Sequence, residues 1–339
     1  SNIDFSSSSV EIKSQLLELL KENHIIIPYT SSSTDTWDVL AISDKDSSLE
    51  NNVILIYGFD DIDNEFINDR LRGVNNKTSW ILDENGDSKL NFDATWNREH
   101  IFAKSLQHVQ KNNISFTDLH NLRAIDARMN SFRNNNLFTD GKGNSSLNEN
   151  GFYPGDEWIG DVARTIMYMY IRYPDFCLPL NVGFGSSTLS DDKKMLDIFL
   201  EWNQLDPPSE FEIYRNEVIY SYQGNRNPFV DNPYLATLIW GGPSAVDLWS
   251  ELPDDIIVYP IVTSSEIYLD TSPFLINFLG TYKDKTDKKF TYKLYNLDGE
   301  EVQSGNTFFK IDISDKLSGN YILELVIDKK IREVQIIKL

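Results

Sequence analysis

The sequence predicts an α+β protein in two parts: a helix-rich domain over residues 1–250 and a small antiparallel β-sandwich over residues 251–339. Three observations predict it. The 339-residue length suits two domains better than one. Apolar residues recur at helical spacing in several segments before Trp249, the pattern of amphipathic helices. After Trp249 the chain changes to short alternating runs separated by turns, the pattern of strands. With 40% apolar and 24% charged residues the composition is that of a globular protein. No apolar run approaches the ~20 residues a membrane-spanning helix needs.

The elements follow in order. Val10, Ile12, Leu16, Leu17, Leu19 and Leu20 predict a helix, which runs into an extended segment at Ile25 to Ile27. "NNVILIYGF" (51–59) is a β-rich apolar run bounded by Asn and Gly and predicts a buried strand. Residues 60–95, polar and punctuated by Asp, Asn and Gly, read as loop. "DLHNLRAIDARMNSFRNNNLF" (118–138) starts as turn or strand and becomes helical at Asp126, a residue suited to cap a helix N-terminus. In "GDEWIGDVARTIMYMYIRYP" (155–174), Trp158, Ile159, Val162, Ala163, Ile166, Met167 and Tyr170 form one broad apolar face, and Pro174 marks the stop. Two more helices are predicted over 190–204 and 209–222, the second opening on the capping-box pair Ser209 and Glu212. Seven short runs then follow, among them "FLINFLGTY", "FFKIDIS" and "GNYILELVID", with Asp298-Gly299 at the centre of a hairpin.

The net charge of -21 argues against a protein that coats nucleic acid through a general basic surface. Cys177 is the only cysteine, so intramolecular disulfides and cysteine metal clusters are excluded. The start "SNIDFSSSSV" has neither a charged nor an apolar leader region, so any secretory signal is already removed or was never present.

The charge is locally reversed. Residues 96–133 carry Arg98, Lys104, Lys111, Arg123, Arg128 and Arg133 against Glu99, Asp118 and Asp126, a pattern that suits a phosphate-binding cleft. Within this zone Glu99 and the asparagines, notably Asn130, are hard oxygen donors of the kind that suit hydrated magnesium or calcium. His100, with a pKa ordinarily near neutrality, could take a proton from water. Neighbours on a flat strand point to opposite faces, so Glu99 and His100 require a bend, bulge or strand end. Asn130 and Asn134, four residues apart, would share one face of the facing helix. His24, His108 and His120 read as structural, Cys177 as an inert buried thiol, and "GNRNPF" (224–229) as a turn flanking the cleft.

"WNREHIFAKS" followed by "TDLHNLRAIDARMNSFRNN" resembles the bacterial endonuclease I family, and the likeness continues through "GDVARTIMYMYIRY" and "SEFEIYRNEVIYSYQGNRNPFVDNP", over roughly residues 10–240. The resemblance implies a ββα-metal active-site motif in which Glu99 and Asn130 bind the metal and His100 is the general base. It implies magnesium, with calcium or manganese as substitutes, and a secreted, sequence-nonspecific endonuclease that leaves 5′-phosphate ends on DNA, with action on RNA as well left open. The family holds the scissile phosphate with an arginine, which in some members lies between the histidine and "DLHNL". Here that interval holds Lys104 and Lys111, so Arg123, Arg128, Arg133 or Arg226 would act from elsewhere, with Arg123 and Arg133 as the catalytic choices. Arg98, Lys104, Arg128, Asn134 and Arg226 complete the expected substrate contacts. The last fifty or so residues resemble the sorting domain recognised by the type IX secretion machinery, which implies a protein that is secreted or held at the cell surface; a monomer is expected. Two other readings stay open: a catalytically weak, nucleic-acid-binding surface module on the same scaffold, and a nuclease confined to RNA.

Overall fold

Residues 2–4, 7–49, 51–82, 84–85, 87–110, 113–245, 257–259, 262–263, 266–270, 275–277, 290–307, 310–327 and 330–338 are described by a computed structural model of the chain. The chain divides into two units, Leu16–Val246 and Ser1–Gln15 with Asp247–Leu339. The junction placed from sequence at 250/251 lies outside the described residues. The first fifteen residues, expected with the helices, group with the C-terminal unit. Backbone pairing is the reason: β1 (Asn2–Asp4) forms an antiparallel ladder with Leu275–Asn277.

The helix read from Val10 onward is α1 (Ser9–Glu22), which buries Ile12, Leu16, Leu19 and Leu20. Next comes α2 (Thr36–Ser43), which the spacing of apolar residues did not reveal. Its start is fixed by a reciprocal cap: Asp35 accepts from the Trp37 and Asp38 amides, and the Asp38 side chain accepts from the Asp35 amide. The apolar run at 51–59 gives only a short strand, β2 (Asn52–Ile54), continued by the buried Leu55, Ile56 and Tyr57. Residues 60–95 depart from the loop reading, because β3 (Leu71–Gly73) pairs with β2 while β4 (Trp80–Leu82) and β5 (Ser88–Leu90) form a separate hairpin. These strands are three residues long, too short for an alternating pattern to register.

The centre of this unit is β6 (Trp96–His100) paired antiparallel with β7 (Leu122–Asp126), followed at once by α3 (Ala127–Arg133). The register sets Glu99 opposite Arg123 and His100 opposite Leu122. Asp126 ends β7 and caps α3 by accepting from the Arg128 and Met129 amides, as its position implied. A small hairpin, β8 (Ser146–Asn148) with β9 (Gly151–Tyr153), leads to α4 (Ile159–Arg172). That helix is buried on every side, not on one face. Its polar members are satisfied internally: Arg164 donates to Glu212, and Asp161 accepts from Arg123. The next helix, α5 (Asp197–Leu205), starts later than residue 190 because the Asp197 carboxylate gathers Ser186, Thr188 and Leu189 into a turn. Ser209 caps α6 (Glu210–Gln223) through the Glu212 amide, and α7 (Pro228–Asp231) and α8 (Tyr234–Trp240) follow. Gly224 ends α6 at φ +80°, where a Cβ would meet the Asn23 carbonyl oxygen at 2.2 Å.

In the C-terminal unit the described strands are β10 (Ile257–Tyr259), β11 (Val262–Thr263), β12 (Glu266–Asp270), β13 (Leu275–Asn277), β14 (Phe290–Asn296), β15 (Glu301–Thr307), β16 (Lys310–Asp312), β17 (Gly319–Ile327) and β18 (Lys330–Lys338). They form one sheet ordered β10-β12-β16 and another ordered β11-β18-β17-β14-β15. Ile267 and Ile311 from the first pack with Leu294, Leu323, Leu325 and Ile336 from the second, so one core joins two layers. The antiparallel expectation has one exception, since β11 runs parallel to β18. Most of "FLINFLGTY" lies outside the described residues.

Candidate active site

Alternation along β6 puts Asn97 and Glu99 on one face and Trp96, Arg98 and His100 on the other. The conflict between Glu99 and His100 is met in the simplest of the anticipated ways, because His100 is the last residue of the strand. There the strand end and α3 enclose a cleft of about 460 Å³, bordered by Asn97, Arg98, Glu99, His100, Lys104, Asn130, Arg133 and Asn134.

His100 Nε2 lies 2.9 Å from the Phe116 carbonyl oxygen. A carbonyl can only accept, so Nε2 carries the proton and Nδ1 keeps the lone pair. Burial, reinforced by the nearby Lys104 and Arg98 charges, pushes the imidazole pKa down to about 3, so the ring is neutral. Glu99 is only 2% exposed. Its Oε1 accepts from the Tyr57 hydroxyl at 3.3 Å and faces Arg133 Nε at 3.4 Å. Burial outweighs these contacts and raises the carboxyl to about 7. Tyr57 reaches it from a backbone at φ +69°, a conformation that a tyrosine rarely adopts.

Across the cleft, Asn130 Nδ2 donates to Asn97 Oδ1 at 2.7 Å, which fixes the amide and leaves Oδ1 as its acceptor. Asn97 was missed from the sequence. The available signal was its place two residues before Glu99, on the same strand face. Among the described residues no group of three or more His, Cys, Asp or Glu could hold a metal ion. The donors present, one carboxylate and one amide oxygen, fit a hard cation that keeps most of its waters. A cation would also offset the buried charge that Glu99 carries when ionised.

The structure sorts the expected arginines. Arg133 borders the cleft and is 1% exposed, but Nη1 donates to the Asn134 carbonyl at 3.0 Å and Nη2 to that of Ile101 at 2.9 Å. It braces the turn beyond β6. Arg123 does not border the cleft: it shares a sheet face with its partner Glu99, but its side chain is drawn into the core by Asp161, to which it donates at 2.6 Å, against the Trp158 and Phe211 rings. Arg128 pairs with Asp93 on the exposed side of α3. Arg226 is held by Glu217 and Asp231 away from the cleft. Asn134 does border the cleft, but as the residue ending α3 at φ +52°, so it does not share a helical face with Asn130. Lys111 lies outside the described residues. Arg98 and Lys104 both line the cleft, and neither makes an ion pair with a described carboxylate. Of the other histidines, His120 is buried with Nε2 donating to the Asn225 carbonyl.

Residues 8–234, which include every residue of this cleft, match the endonuclease I family. The chain belongs to the endonuclease I family. It is therefore a nuclease, a hydrolase acting on nucleic acid. Relatives of this endonuclease I member include the extracellular ribonuclease of Bacillus subtilis (strain 168), 36% identical over 242 residues that cover 68% of this chain and 74% of the relative. The extracellular ribonuclease of Bacillus amyloliquefaciens is 34% identical over 246 residues, covering 69% and 75%. The family match ends at residue 234, before the Asp247–Leu339 segment.

Proposed function

We propose that this nuclease is a secreted, metal-dependent, sequence-nonspecific endonuclease that cuts both RNA and DNA by activating water. The observation that carries the reading is the histidine tautomer: His100 Nε2 is held on the Phe116 carbonyl, which leaves the lone pair on Nδ1 at a cleft that also holds Glu99 and Asn130. Nδ1 takes a proton from water as its oxygen attacks phosphorus. The bond to the 3′ oxygen breaks, leaving a 5′-phosphate and a 3′-hydroxyl. Glu99 and Asn130 would hold magnesium, with calcium or manganese as substitutes, and the bound ion supplies charge stabilisation at the phosphate and the leaving oxygen. Arg133 keeps Glu99 and the turn after His100 in place. Lys104 and Arg98 draw the phosphate in. This chemistry does not use the 2′-hydroxyl, so both nucleic acids serve as substrates.

Secretion is supported by relatives named as extracellular enzymes. The segment Asp247–Leu339, which contributes its own core and lies outside the family match, is assigned in the same reading as the domain that directs export through the type IX machinery. Plasmid DNA and RNA incubated with the full chain and magnesium test the catalytic part. Cleavage with 5′-phosphate products, abolished by a chelator and reduced ~100-fold or more in His100→Ala, is the expected result. Wild-type rates in that variant would refute the role of His100, and no cleavage under any divalent ion would leave a binding module.

A further inference from the structure

Three cations and two aromatic rings alternate in a row that starts in the cleft and leaves it. Lys104 Nζ lies 4.0 Å from the centre of the Tyr29 ring, and the Arg98 guanidinium carbon lies 3.5 Å from the same centre. Arg98 is also 4.3 Å from the Trp37 ring, and Lys77 Nζ stands 5.7 Å from that ring. None of the three cations makes an ion pair with a described carboxylate. Aromatic faces hold cations in place without neutralising them, so in a chain of net charge -21 this row keeps its positive charge for an outside anion. Lys77 brings the row to the root of the β4–β5 hairpin, three residues before Trp80. Trp80 is 69% exposed, opposite Leu90 on the hairpin, although tryptophan is usually well buried.

We propose that the row and the hairpin form one extended subsite for single-stranded nucleic acid. Lys104 and Lys77 take backbone phosphates leading away from the scissile bond, Arg98, whose Nη1 and Nη2 donate to the Tyr29 carbonyl and the Thr36 and Thr30 hydroxyls, adds its charge between them, and Trp80 stacks on a base at the far end. The assignment rests on the nuclease reading of the cleft. It is specific to single strands because a duplex hides the base faces that a flat ring needs.

Binding of labelled oligodeoxynucleotides to the full chain, followed by fluorescence anisotropy in chelator, tests this without cleavage. Affinity should rise from a dinucleotide to a decanucleotide. In Trp80→Ala that gain should shrink about 5-fold or more, and Trp80→Phe should restore most of it. In Lys77→Gln the slope of log affinity against log salt for the decanucleotide should fall by about 0.7. The proposal is overturned if both Trp80→Ala and Lys77→Gln keep the full gain, or if a duplex loses as much affinity as the single strand. Failure of the catalytic reading shows separately, as wild-type cleavage by His100→Ala.

Discussion

His100 shows how one backbone contact decides a residue's chemistry. The Phe116 carbonyl fixes the proton on Nε2, and burial then keeps the ring from taking a second one until about pH 3. In the unfolded chain the same ring binds a proton near pH 6.5, so protonation favours unfolding. The stability linked to His100 is fully present above pH 6.5 and is lost as the pH falls toward 3. Relative to His100→Gln, the wild type should therefore lose up to about 1.4 kcal/mol per pH unit across that window, read from urea midpoints of the two proteins. Glu99, raised to about 7 by burial, runs the other way and loses stability as the pH rises toward 7. The comparison of the two proteins separates the histidine from it. A difference that does not change with pH would refute the neutral ring.

At the scale of elements, the join between β7 and α3 fixes where Asn130 sits. Asp126 closes the strand, caps the helix through the Arg128 and Met129 amides, and accepts from Arg72 at 3.0 Å. Asp126→Ala should cost at least ~1–2 kcal/mol from the lost cap alone and should lower kcat, since Asn130 lies one turn into α3. Asp126→Asn keeps a capping oxygen and should recover most of both, as measured by urea denaturation and plasmid nicking. Features of this local kind were legible in the sequence: the caps Asp126 and Ser209, the long apolar pattern of α4, and the motif order around Glu99 and His100. What could not be read depends on partners distant along the chain. Arg123 is an ordinary basic residue in the sequence, and only the approach of Asp161 makes it a core ion pair. Asn97 gains its role from Asn130 across the cleft. The cap at Asp35 and Asp38 went unread, because no apolar stripe beside it marks a helix.

On the scale of the molecule, the -21 charge and the positive cleft act oppositely on a polyanion. If the cleft controls encounter, kcat/KM for long substrates should fall roughly tenfold or more between low and physiological salt. A rate that rose with salt would mean that repulsion by the acidic surface prevails. Cys177 adds a practical consequence. It is the single thiol in 339 residues, fully buried just beyond α4, with its amide on the Tyr173 carbonyl and its ionisation suppressed by burial. A thiol reagent thus has one target per molecule, concealed in the native state, and the speed of its reaction is a stopwatch for how often the interior around α4 opens.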